Sequence, residues 1–391
     1  MLKRIVLEKI YLLLTIFAIG GYSAMCMLTT EHSSIYIAED PIPLKVLIGM
    51  LFILTSCYII ANRNQFKFNK IGRILLFISI YMAITRVISL PPTAGFLSYI
   101  YQPMRDLLIV MLFIFSYTIY SKSEELYNFF TTGMLIAMMI TAFYYYQNWT
   151  FANEIDEAHL GTSYYTLFIL PTILFSPRKW IKYIAIAITG VVIISSFKRG
   201  GLIALVLGLI AYLFVKEVLF EHKVTKLILF VIIVITLFIV LIYIDNAMGN
   251  IISQRILNIQ EDGGSGRDQV WATTWTMIRR SSPEHLIFGH GYNAVLNDSP
   301  LGLSAHNDFL EVLYNYGIVC FVPYIFLYLR LIQQIFAAIK LEDHRSFIMA
   351  FTCVVFILIS MISHVIVYPW AALIALSWGF MSAPHSNNNI A

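Results

Sequence analysis

Apolar residues recur in runs of about 20, the length an α-helix needs to cross the hydrocarbon core of a bilayer, from Ile10 almost to the end of the chain. Dividing these runs at charged residues and at Pro or Gly predicts helices at 10–28, 44–61, 72–90, 104–120, 126–146, 161–176, 180–197, 201–216, 225–245, 309–330, 346–364 and 366–383. Only Tyr368-Pro369 separates the last two, so the count is eleven or twelve. One stretch, 246–308, is long and polar enough to fold outside the membrane. The expected fold class is all-α: a polytopic membrane helix bundle of about twelve transmembrane helices. It forms a single integral domain over 1–391, and one large loop carries the chemistry.

Composition agrees with this pattern. Of 391 residues, 59% are hydrophobic and 12% charged, and the mean hydropathy is +0.77, whereas roughly a quarter of a soluble domain is charged. The formal charge of +4 is too small to argue for nucleic acid as a partner. Cys26, Cys57, Cys320 and Cys353 lie in or beside apolar runs without CxxC or Cys/His spacing, which indicates neither a disulfide framework nor a zinc site. Lys3, Arg4 and Lys9 precede an apolar run long enough to span, with no small-residue cleavage site behind it, so the first helix is expected to be retained.

The placement of charge orients the bundle, because Lys and Arg collect in cytoplasmic loops. With the N-terminus inside and alternating spans, all of the 26 Lys and Arg residues fall inside except Lys45, Arg86, Arg105, Lys198, Arg199, Arg255, Arg267, Arg279 and Arg280. The outside loops 29–43 and 147–160 carry Glu31, Glu39, Asp40, Glu154, Asp156 and Glu157 and neither Lys nor Arg. Both termini are then cytoplasmic, and the long loop faces the outside, which in a bacterium is the periplasm or cell surface.

Cations on the outer face break this bias and need a reason. Lys198-Arg199-Gly200-Gly201 forms a hairpin so short that Arg199 lies at the membrane surface. It either snorkels to lipid phosphates or binds an anion, since a guanidinium offers a planar donor fork and glycines let backbone N–H groups approach. In the long loop, Gly263-Gly264-Ser265-Gly266-Arg267-Asp268 reads as a flexible turn into a helix over 269–280. Val270, Trp271, Thr274, Trp275 and Ile278 share one face of that helix, with the two tryptophans expected at headgroup depth. Arg267 sits near its N-terminus, where a phosphate is favoured.

Phe288-Gly289-His290-Gly291-Tyr292 is a glycine-flanked turn, and Ser304-Ala305-His306-Asn307-Asp308-Phe309-Leu310-Glu311 leads into the tenth span. A helix starting near Asn307 places Asn307, Glu311 and Tyr314 on one face, with His306 at its mouth. A single histidine is more often structural than catalytic, and an Asx cap would account for Asn307 and Asp308. A carboxylate entering the membrane, such as Glu311, is costly unless it faces protein or water. Arg86, Arg105 and Asp106 lie near the outer ends of the third and fourth spans, where Arg105 reads equally as part of the basic surface or as a membrane anchor, and His364 beside Tyr368 receives no role. No GxGxxG, P-loop or HExxH motif occurs, and no outside cluster of Asp and Glu would hold Mg²⁺. The two halves lack the matching broken helices that mark inverted-repeat transporters.

Taken in order, Ser195-Ser196-Phe197-Lys198-Arg199-Gly200-Gly201, Gly266-Arg267 with Trp271, Phe288-Gly289-His290-Gly291, and His306-Asn307-Asp308-Phe309-Leu310-Glu311 with Tyr316-Gly317 resemble the bacterial O-antigen ligase and polymerase superfamily. The resemblance covers about 195–317; the N-terminal half adds only hydropathy. It implies a metal-independent, inverting glycosyltransferase of the inner membrane without a cofactor, whose donor is an undecaprenyl (polyprenyl) diphosphate-linked oligosaccharide. The acceptor is a second lipid-linked repeat in a polymerase or lipid A-core in a ligase, and the pattern from His306 to Glu311 leans toward the polymerase. Carried over by motif, His306 is the base, Arg199 and Arg267 bind the diphosphate, and Lys198, Asn307, Glu311 and His290 line the substrate site. A polysaccharide chain-length regulator is the further partner implied. The alternative from another class is a carrier or flippase for an anionic lipid or solute, which would use the same arginines without forming a bond.

Overall fold

The computed structural model describes residues 2–30, 41–90, 96–152, 163–196, 198–247, 263–366 and 370–384. All regular structure among these residues is helical, and each expected apolar segment coincides with a helix. The acidic stretches 31–40 and 153–160, Phe197, Arg255 and the Tyr368-Pro369 junction lie outside the described residues. In chain order the helices are α1 (Leu2–Thr30), α2 (Ile42–Ala61), α3 (Lys70–Ile88), α4 (Phe96–Lys122), α5 (Glu124–Ala152), α6 (Tyr164–Leu174), α7 (Lys179–Ser195), α8 (Arg199–Leu213) and α9 (Thr225–Ala247). They continue as α10 (Gly263–Arg280), α11 (Pro283–Phe288), α12 (Ala294–Asp298), α13 (Asp308–Lys340), α14 (Ser346–Ile362) and α15 (Trp370–Ser382). Among the described residues, seven are long and apolar enough to cross a membrane by length and composition: α1 to α5, α8 with its extension to Phe220, and α13. The protein is therefore a helical polytopic membrane protein. Helices α6, α14, α15 and the first part of α9 are apolar but shorter.

Packing divides the chain into two compact units. The first, 1–205 with 323–334 and 365–391, is built around α4, which packs against α2, α3, α5 and α15. Helix α15 is buried on every side from Trp370 to Met381, the signature of a helix that is apolar all round. It approaches α4 so closely that a Cβ on Gly379 would meet Ser116 Oγ and the Phe113 carbonyl, the use small residues have between membrane helices. Arg86, in the last turn of α3, and Asp106 of α4 are buried against each other in this unit (Nε–Oδ2 2.6 Å, Nη2–Oδ1 2.7 Å).

The second unit, 206–322 with 335–364, holds α9 to α12, α14 and parts of α8 and α13. Here α8 relaxes into a π-helical segment, Phe214–Phe220, whose Glu217 is buried against Lys216 and Lys226. The described part of the long loop is folded: α10 to α12 and the start of α13 enclose a small core of Ile278, Ala294, Val295, Ala305 and Tyr314.

Candidate active site

The second unit places His306 by fixing its neighbours. Asn307 is the N-cap of α13, its Oδ1 accepting from the N–H groups of Phe309 (3.0 Å) and Leu310 (3.2 Å), two of the donors that a helix start leaves without an intrahelical partner. Its Nδ2 donates to the Met361 carbonyl at the end of α14 (3.1 Å). Four residues into the helix side of this cap, the Glu311 carboxylate turns back to accept the Ala305 N–H (2.7 Å) and also accepts from Asn315 Nδ2 (2.9 Å). The Ala305 carbonyl in turn accepts from the indole N–H of Trp271 (2.8 Å). Both backbone polar groups of the residue before His306 are thus held, and the chain then turns through a left-handed conformation at His306 itself (φ 48°). A histidine adopts that region at some cost, and in return its side chain is exposed at the mouth of α13.

Behind His306 lies His364, just past the end of α14. The two rings are 4.9 Å apart at 45°. His364 is buried; its Nε2 lies 3.2 Å from Ser304 Oγ and its Nδ1 3.8 Å from Glu311 Oε1. Arg267 is half-buried and near enough to His364 for its charge to act there, as His306 does. Glu311 faces protein, as its cost in a membrane requires.

Arg267 does not follow a free turn. Residues 263–266 already belong to α10, with Gly266 left-handed (φ 75°), so Arg267 stands in the first turns of a longer helix. The tryptophans of α10 also part company. Trp271 is committed to Ala305, whereas Trp275 remains exposed with the Arg279 guanidinium 5.5 Å from its ring. A face defined by spacing alone could not separate an exposed indole from one that closes a loop.

His290 belongs to a different constellation of the same unit. Its ring is stacked between His285 (4.3 Å) and Tyr314 (4.1 Å), with Nε2 2.8 Å from Ser281 Oγ. Burial first, and then His285, holds its protonation below the ordinary histidine range, with Asp298 opposing. Its backbone N–H donates to the Tyr314 carbonyl and that of Gly291 to the Asn315 carbonyl. These carbonyls are available because α13 breaks at Gly317 (φ 65°, ψ −175°). Gly289 and Gly317 touch backbone to backbone: a Cβ on Gly289 would strike Asn315, and one on Gly317 would strike Ile287. The glycine-flanked turn is a clasp on the kink of α13.

Lys198 and Arg199 belong to the first unit. Lys198 precedes α8, where its carbonyl accepts the Leu202 N–H (3.1 Å), and Arg199 is the first residue of that helix; both are half-buried. The described structure therefore gathers Arg267, His306, Asn307 and Glu311 in one unit and adds Ser304, Asn315 and His364. For His364 the available signal was one imidazole at the end of an apolar segment. Among the described residues, no group of three or more His, Cys, Asp or Glu side chains is arranged to hold a metal ion.

An all-helical membrane protein with a histidine presented on a folded loop is the class these observations define. Residues 184–325, from α7 into α13, match the family model described as O-antigen ligase. The match supports the resemblance of this stretch to the O-antigen ligase and polymerase superfamily. No curated protein sequence matches the chain.

Proposed function

We propose that this protein is a membrane glycosyltransferase that joins polyprenyl diphosphate-linked oligosaccharides at the periplasmic face, acting as a surface-polysaccharide polymerase. The observation that carries the reading is the presentation of His306, exposed on a backbone held at Ala305 within the stretch that matches the O-antigen ligase model. Imidazole changes charge near neutral pH, which suits it to take the proton of an acceptor hydroxyl. The acceptor oxygen then bonds to the anomeric carbon as the carbon–oxygen bond to the diphosphate breaks, which inverts the configuration. The leaving diphosphate gains negative charge, for which guanidinium groups are stabilising partners without a metal. Arg267, whose charge acts at His364, supports that role, and Arg199 has it by resemblance.

The same family match is equally compatible with a second reading, a ligase that transfers the finished glycan to lipid A-core. One gel of lipopolysaccharide from a deletion strain tests both. A single repeat on the core is expected of a lost polymerase, and bare core with accumulated lipid-linked polymer of a lost ligase. An unchanged profile overturns glycan joining in this pathway. In purified protein, His306→Ala should nearly abolish product while donor binding persists. Arg199→Lys should lose about tenfold to a hundredfold, since an ammonium cannot replace the donor fork. Activity should survive excess EDTA; loss that Mg²⁺ restores would reject the metal-independent scheme.

A further inference from the structure

The His306 loop is backed by a second imidazole that lies beyond the stretch matching the family model. His364 is too deeply buried to meet a substrate, yet it packs against the ring of His306, lies within hydrogen-bond reach of the Ser304 hydroxyl and has its Nδ1 3.8 Å from the Glu311 carboxylate. Glu311 is the same carboxylate that holds the Ala305 N–H. One buried acid thus bonds the backbone before His306 and lies close to the ring behind it. Asn307 adds a second tie across the same gap by bonding the Met361 carbonyl, three residues before His364. The end of α14 is in this way fastened to the start of α13 at both the backbone and the side-chain level.

We propose that His364 is a positioning residue for His306, a buried imidazole held by Ser304 and lying close to Glu311 that fixes the plane and location of the exposed ring. The inference rests on the reading of His306 as the base. A reacting histidine must meet the acceptor hydroxyl within hydrogen-bond reach, and small misplacements of such groups cost rate far more than affinity. A left-handed residue in a loop does not define its own ring orientation; a packed neighbour does.

His364→Phe in the full-length protein, reconstituted in nanodiscs, keeps a ring against His306 and removes both nitrogens. With a polyprenyl diphosphate oligosaccharide as donor, kcat should fall about tenfold to a hundredfold while KM for the donor stays nearly constant. His364→Gln, which restores polar atoms facing Ser304 and Glu311, should regain part of the loss. Adding His364→Phe to His306→Ala should cost nothing more. Independently of turnover, the rate at which diethyl pyrocarbonate labels His306, mapped by mass spectrometry, should rise severalfold in His364→Phe.

Wild-type kcat and labelling in a well-folded His364→Phe would overturn the proposal. So would a further loss in the His306→Ala background, because His364 would then act on its own. If wild-type protein transfers no glycan but His306 labelling still responds to His364→Phe, the contact stands and the proposed function falls.

Discussion

Arg86 shows how little a charge in an apolar run says by itself. Its guanidinium is buried with the Asp106 carboxylate on two bonds, and Nη1 reaches Gln102 Oε1 at 3.2 Å. Burying two charges is nearly balanced by their attraction, but removing one strands the other. Arg86→Leu should therefore destabilise by about 3–5 kcal/mol, read as a lowered melting temperature in detergent. Arg86→Leu with Asp106→Leu should recover most of that; equal damage in the double variant would mean the pair is not the cause. His290 carries a pH signature. Its folded-state pKa is depressed, so the unfolded chain binds the extra proton first. Stability from this residue is fully present above the unfolded value of about 6.5 and is lost as pH falls from there through the lower folded value. In His290→Phe, which keeps the stack, melting temperature should vary less with pH over that window than in the wild type.

At the scale of elements, the helix starts were legible because their chemistry is local. Asn307 caps α13 as its position before an apolar run indicates. The break at Gly317 was hidden: hydropathy runs unbroken through it, and the clasp that requires it comes from residues 26 to 28 positions earlier in the chain, where Gly289 and Gly291 lie. Gly317→Ala should destabilise the protein, since a left-handed non-glycine residue alone costs about 1–3 kcal/mol and its Cβ would strike the Ile287 backbone. Thermal unfolding measures the loss. A stable Gly317→Ala would mean α13 can straighten and the clasp is dispensable.

For the whole molecule, the distribution of Lys and Arg predicts orientation, which a helix bundle alone does not. Gly264→Cys and Asn297→Cys, in a background lacking the four native cysteines, should react with a membrane-impermeant thiol reagent in intact spheroplasts, whereas Asn69→Cys should need lysis. Labelling of Asn69→Cys alone would invert the bundle and put the His306 loop in the cytoplasm. The all-helical membrane class and the position of nearly every helix were determined by the sequence itself. A bilayer leaves backbone groups no partners but their own helix, so hydropathy and secondary structure become the same signal. Order along the chain likewise singled out Arg267, His306 and Glu311. Only the tertiary structure decided that Trp271 serves Ala305 and not the lipid, that His290 is a stacked clasp and that His364 stands behind His306. Each of those assignments depends on which face of one helix meets which residue of another, and long-range packing leaves no periodicity in the sequence to read.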